Sequence, residues 1–238
     1  MKNKITKVIK DYTEGFLSLI YPQFCVICGN ELNQQNDHFC FMCEQDLHYT
    51  YFEKYKDYTL ADEVFWGRLN IESVYALLYY ENGNSTKNIL HQIKYKEGRS
   101  LGVLMGEMMG KKMKNMEEFK DIDALIPIPI HSKKSFIRGY NQSLLIAEGM
   151  SEVMEIPVLD ALYRKTHDES QTKKSKEERL ENVKGKFALK EGGLKNCNHV
   201  LIVDDVLTTG STLEYAARAI YEKKVKAKVS LGTIALAH

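Results

Sequence analysis

The run Val200-Leu-Ile-Val-Asp204-Asp205-Val-Leu-Thr208-Thr209-Gly210-Ser211-Thr212 constrains this chain more than any other. Four consecutive apolar residues predict a strand buried on both faces, and such strands belong to parallel sheets covered by helices. The strand ends in two adjacent carboxylates. Within three residues the chain enters a loop of hydroxyls and glycine that opens a helix, predicted over 211–223. Thr208, Thr209, Ser211 and Thr212 offer hydroxyl donors, Gly210 lets the backbone approach closely, and the free N–H groups at the helix start complete an anion site. The two acids suit a ribose cis-diol, so the whole pattern fits a sugar phosphate at the carboxyl end of a parallel strand. An ordinary strand-turn-helix with a hydroxyl cap explains Ser211 but leaves the paired acids without a role. The run is neither a G-x-x-x-x-G-K-[ST] phosphate loop nor a G-x-G-x-x-G dinucleotide loop.

The flanking sequence predicts the sheet that such a strand needs. Strands are expected over 73–80, 124–130, 199–203 and 227–236, with helices over 85–96, 101–119, 141–154 and 211–223. Strands alternating with helices imply an α/β, doubly wound parallel sheet from about residue 71 onward. A length of 238 residues leaves room for a smaller companion domain. The boundaries read as an amphipathic helix in 1–24, a four-cysteine unit with an irregular connector in 25–70, and the α/β domain in 71–238. The helix is marked by Ile5, Val8, Ile9, Tyr12, Phe16, Leu19 and Ile20.

Thirty-three Lys and Arg against thirty-two Asp and Glu leave a formal charge of +1, so any polyanionic partner must be read by a local patch. The longest uncharged stretch, Gly15 to Asn30, is interrupted by Pro22 and Gln23 and is too short for a membrane span. The N-terminus lacks a contiguous apolar core and a small-residue cleavage site, and a cytoplasmic location is expected.

Four of five cysteines fall in nineteen residues, as Cys25-Val-Ile-Cys28 and Cys40-Phe-Met-Cys43. Each two-residue spacer turns the chain back within metal-sulfur reach, and two such pairs complete a tetrahedron. A tetrahedral Zn²⁺ with four thiolates has no open position and is structural rather than catalytic. Two disulfides, an iron-sulfur cluster or free thiols are the rival readings; His38 and His48 are near enough in sequence to replace a ligand, and Cys197 reads as a half-buried thiol.

Residues 200–212 resemble the phosphoribosyl-pyrophosphate (PRPP) signature of type I phosphoribosyltransferases. Taken with the four-cysteine cluster, Lys94-Tyr95, Pro127-Ile-Pro129, Arg138-Gly-Tyr-Asn-Gln142, Gln171, Arg179 and Asn182, the chain over roughly 20–236 resembles the ComF family of bacterial competence proteins. That resemblance implies a phosphoribosyltransferase-like fold, a zinc finger and a part in uptake of single-stranded DNA during natural transformation. It matches Asp204 and Asp205 to ribose-binding acids and Thr208 to Thr212 to the 5′-phosphate loop. The loop after 124–128 matches the pyrophosphate loop, with Lys94, Arg138, Lys133 and Lys134 as nearby cations, and Gln171 and Arg179 fall in the family's mobile catalytic loop. A transferase of this kind would use Mg²⁺ with PRPP. The competing reading is a module that holds PRPP, a nucleotide or single-stranded DNA, the DNA only weakly, and docks a helicase-like competence protein through its finger and helix 3–20.

Overall fold

The computed structural model describes residues 22–32, 38–81, 85–95, 98–131, 136–165, 186–223 and 226–237. The sheet is built from β1 (Val74–Tyr80), β2 (Ala124–Pro127), β5 (His199–Leu207) and β6 (Lys228–Ala237), in the order β1-β6-β5-β2 with every pair parallel. The central strands β5 and β6 are apolar and buried along almost their whole length, as expected of parallel strands with both faces covered. Among the described residues, the helices that connect or flank the strands are α1 (Phe41–Gln45), α2 (Leu60–Glu63), α3 (Ser85–Lys94), α4 (Gly98–Met113), α5 (Gln142–Met154) and α6 (Ser211–Glu222), which follows β5.

Helices α4 and α5 cross in close contact because each places a glycine against the other's backbone. A Cβ on Gly106 would meet the Ile146 carbonyl oxygen at 2.1 Å, and one on Gly149 would meet that of Val103 at 2.0 Å. Both glycines are therefore fixed by packing, and the pair positions α5 under β5 and β2, where its first turn meets the acids.

Both sheet edges are closed. Beside β1, Thr50 N–H donates to Leu77 O, Tyr79 N–H donates to His48 O, and Thr50 Oγ1 donates to Ala76 O at 2.6 Å. Beside β2, Leu125 exchanges hydrogen bonds with Pro157 and Leu159.

Three features differ from the sequence reading. Strand β5 does not stop before the acids but runs through them to Leu207, because β6 continues alongside and pairs Asp204 with Thr233 and Leu207 with Leu236. The segment 46–68, expected as an irregular connector, carries α2 and a 3₁₀ turn at Phe52–Lys54 and sends Phe52, Ala61 and Phe65 into the common core. Each buried Phe contributes roughly 1.5–3 kcal/mol, so this segment is part of what holds the sheet. A short antiparallel pair, β3 (Leu162–Arg164) with β4 (Phe187–Leu189), was not anticipated. The predicted helix 3–20, and Lys133, Lys134, Gln171, Arg179 and Asn182, lie outside the described residues. Among the described residues no helix is long and apolar enough to cross a membrane.

Candidate functional site

At the carboxyl ends of β2 and β5 lies a cavity of 260 Å³ whose wall includes Asp204, Asp205, Thr208, Thr212, Lys94 and Arg138. Six residues singled out from three separate stretches of sequence thus meet at one place.

The two acids have different surroundings. Asp204 Oδ1 accepts hydrogen bonds from Ser143 Oγ and from the Asp205 N–H, both at 2.9 Å. Burial, with the Asp205 carboxylate next to it, outweighs those bonds and pushes Asp204 from 3.8 up to about 7. Asp205 is also buried, and Lys94 Nζ lies 2.8 Å from its Oδ2 as an ion pair. That oxygen receives no properly directed hydrogen bond, so charge alone holds it.

Lys94 and Arg138 arrive together through the run Arg138-Gly-Tyr-Asn-Gln142. The buried Tyr140 hydroxyl donates to Ile93 O at 2.7 Å and ties this run to the last turn of α3. Arg99 donates to Gly139 O and lies over the Tyr140 ring. Asn141 caps α5 by accepting from Ser143 N–H, while its amide donates to Ile128 O at the end of β2. Gln142 then accepts from Arg138 Nη1 at 2.8 Å and orients the guanidinium. Every residue of the run has a structural task, and the outcome is a cation presented to the cavity.

The loop after β5 is supported from behind. Gly210, and not Ser211, stands at the N-cap of α6, with φ +74°. A Cβ there would meet the Phe65 ring at 2.8 Å and Val64 Cγ1 at 2.9 Å. Arg68 Nη1 donates to Thr209 O at 2.9 Å and the same side chain pairs with Glu214 of α6. Thr208 and Thr212 face the cavity, whereas the Thr209 and Ser211 hydroxyls are paired with each other at 3.0 Å. Replacing Gly210 by Ala is expected to destabilise the fold by about 1–3 kcal/mol through left-handed strain and the Phe65 contact, read as a lower urea midpoint at unchanged slope.

Ser143, His131 and Arg164 also line the cavity and were missed. Ser143 had one signal, its place directly after the Arg138–Gln142 run. Arg164 sits in β3, a strand too short to leave a pattern.

The four cysteines form a second centre. Their Sγ atoms all lie within 4.8 Å of one another, and Cys28 and Cys40 are 3.8 Å apart. That separation is the edge of a tetrahedron with metal-sulfur bonds of about 2.3 Å, and it is far beyond the roughly 2.05 Å of a disulfide. Gly29, at φ +73°, turns the first pair back so that its N–H donates to Cys25 O, and Cys40 opens α1. Val26 N–H donating to His38 O at 3.0 Å ties the two halves together. Burial opposes ionisation of Cys25, but hydrogen bonds from the backbone at Cys28, Cys40 and Ile27 bring it down to about 6. The donor set suits a soft tetrahedral ion such as zinc and leaves it no open position. Cys197 packs partly buried against the core, as expected of a lone thiol.

Residues 141–238 match the phosphoribosyl transferase domain. Competence protein ComFC of Bacillus subtilis is 36% identical over 112 residues, 46% of this chain and 43% of that protein. Competence protein F of Haemophilus influenzae is 33% identical over 111 residues, 45% of this chain and 48% of that protein. They support the ComF family for this chain. DNA utilization protein YhgH of Escherichia coli O157:H7 is 25% identical over 139 residues, 56% of this chain and 59% of that protein. The ComF-like chain thus spans about half the length of the curated relatives it matches. The solved structure of the allosteric regulatory enzyme of purine biosynthesis aligns over 61% of this chain and 30% of its own, with a TM-score of 0.40 and 18% identity. The domain match runs through α5, β5 and α6, so the acids and the Thr208–Thr212 loop fall inside it, while Lys94, Arg138 and the four clustered cysteines fall outside.

Proposed function

We propose that the cavity at the ends of β2 and β5 binds PRPP and that the chain is a phosphoribosyltransferase-like protein acting on incoming single-stranded DNA in competence. The observation that carries the first half is the gathering of Asp204, Asp205, Thr208, Thr212, Lys94 and Arg138 around one cavity. The names of the relatives carry the second.

In this reading the 5′-phosphate sits on the N-terminal N–H groups of α6, with Thr208 and Thr212 donating hydroxyls. Asp204 and Asp205 face the ribose, where carboxylates accept from its diol. Arg138, aimed by Gln142, meets the diphosphate. Attack at the anomeric carbon forms a bond from a nitrogen nucleophile while the bond to pyrophosphate breaks. Positive charge then develops on the ring, and the fixed negative charge of Asp205 stabilises it. A Mg²⁺ bound with PRPP would supply neutralising charge to the departing diphosphate. Lys94 pairs with the buried Asp205 Oδ2 and two donors occupy Asp204 Oδ1, so Asp204 Oδ2 and Asp205 Oδ1 are the acid oxygens that would meet such an ion. The finger and the segment 3–20 are the proposed docking surface for a helicase-like partner.

Asp205→Asn keeps the side-chain size and removes the charge. Affinity for PRPP is expected to fall roughly ten- to a hundred-fold, the worth of a charged hydrogen bond of about 1.5–3 kcal/mol. Calorimetry giving equal affinities would remove the site. Pyrophosphate release in the presence of nitrogen bases separates turnover from binding alone.

A further inference from the structure

One aromatic ring beside the cavity stands half in solvent. Tyr95 follows the last residue of α3, and its N–H donates to Gln92 O at 3.1 Å, so its backbone is fixed while its side chain stays 46% exposed. The His91 imidazole lies 4.7 Å from the Tyr95 ring, centroid to centroid, at 40°, and the Arg138 guanidinium lies over that ring at 5.9 Å. Both separations are those of attractive ring and cation–π contacts. Lys94, its neighbour in sequence, and Arg138, its neighbour in space, both line the cavity, which puts the ring at the cavity rim. On the turn that leads into Arg138, Phe136 is 93% and Ile137 76% exposed. A single apolar side chain in solvent needs no explanation, but three gathered about Arg138 at the mouth of a polar cavity form a patch.

The chemistry of the patch selects its occupant. An aliphatic peptide would gain nothing from a guanidinium and an imidazole beside the ring. A planar nitrogen heterocycle gains from stacking on Tyr95, and its ring nitrogens and carbonyls accept from the neighbouring N–H groups. Held by its face, such a ring keeps its edge nitrogens free, as an acceptor for a ribosyl group must.

We propose that Tyr95, set between His91 and Arg138, is a stacking platform for a nucleobase at the mouth of the PRPP cavity, the base being either free or carried in single-stranded DNA. Its place as the acceptor subsite rests on the PRPP reading; the stacking itself does not.

The test uses the full chain with its finger metal in place and without PRPP. Two probes distinguish the sources of the base: free adenine, followed by broadening of its proton resonances, and a labelled twelve-nucleotide oligothymidylate, followed by fluorescence anisotropy. Tyr95→Leu should weaken binding of at least one probe about five- to a hundred-fold, the worth of one stacked base. Tyr95→Phe keeps the ring and should stay within about twofold of wild type. Loss for adenine alone marks a free base, loss for oligothymidylate alone a base carried in DNA, and loss for both a platform that takes either. An abasic strand of the same length should bind wild type and Tyr95→Leu alike; a parallel loss there would make the contact one to phosphate and overturn the platform. Phe136→Ser, at a solvated position, should weaken the same probe and replaces Tyr95→Leu if that variant fails to fold. Wild type binding neither probe, or the variants binding both as wild type does, would also overturn it. Failure of wild type to bind PRPP in a separate titration would defeat the proposed function instead, with the base probes still deciding the place of Tyr95.

Discussion

Cys40→Ser is expected to strip the finger of its metal and to lower the melting temperature by about 5–15 °C, on the scale of 2–4 °C per kcal/mol for a chain of this size. Four Sγ atoms within 4.8 Å of one another have few stable states other than bound to an ion or partly protonated. Metal binding to such a set is itself folding free energy, about 10–16 kcal/mol for structural zinc in small peptides. The loss spreads beyond the finger because Phe39, beside Cys40, and Leu47 are buried in the same core as β1. His48 and Thr50, just beyond Leu47, close the β1 edge. Elemental analysis should give one zinc per wild-type chain and none in the variant. An unchanged metal content or melting curve would contradict the site.

Asp204→Asn should make the protein more stable at pH 8 and leave it nearly unchanged at pH 4. Burial and Asp205 raise the native Asp204 from 3.8 to about 7, so between those values the native state holds a proton that the unfolded chain has released. Stability therefore falls as pH rises through that window, and the full cost of the buried charge is present above it. Three units correspond to a ceiling of about 4 kcal/mol, and a gain on the order of 1–4 kcal/mol is expected at pH 8. Asn keeps an oxygen for the Ser143 hydroxyl and the Asp205 N–H, so neither bond need be lost. The same variant should bind PRPP more weakly, since the native acid is held against its preference for the ligand's use. A pH-independent difference in melting temperature, or a less stable variant at pH 8, would show that Asp204 is not strained in this sense.

The strands and the acid-hydroxyl loop were legible because a buried parallel strand is a continuous apolar run and the anion loop has its own composition. The cysteine tetrahedron was legible because its ligands are local in sequence. Other parts depend on contacts between distant residues. Ser143 reaches Asp204 across sixty-one positions, and Arg68 reaches the Thr209 carbonyl across 141. No local pattern records either. Phe52 and Phe65 lie in a stretch without periodicity because each is buried by a different partner surface and not by one face of a regular element. The end of β5 was misplaced for a related reason: two charged residues normally close a strand, but here β6 continues the ladder past them and Ser143 and Lys94 compensate their polarity.

The function follows from what the cavity at β2 and β5 holds. A crystal structure of the chain soaked with PRPP tests it most directly. The expected result is the 5′-phosphate on the Thr208–Thr212 loop at the start of α6, the ribose diol against Asp204 and Asp205, and the diphosphate between Lys94 and Arg138. PRPP bound elsewhere on the molecule, or a cavity left empty at saturating ligand while the acids keep their present geometry, would contradict it.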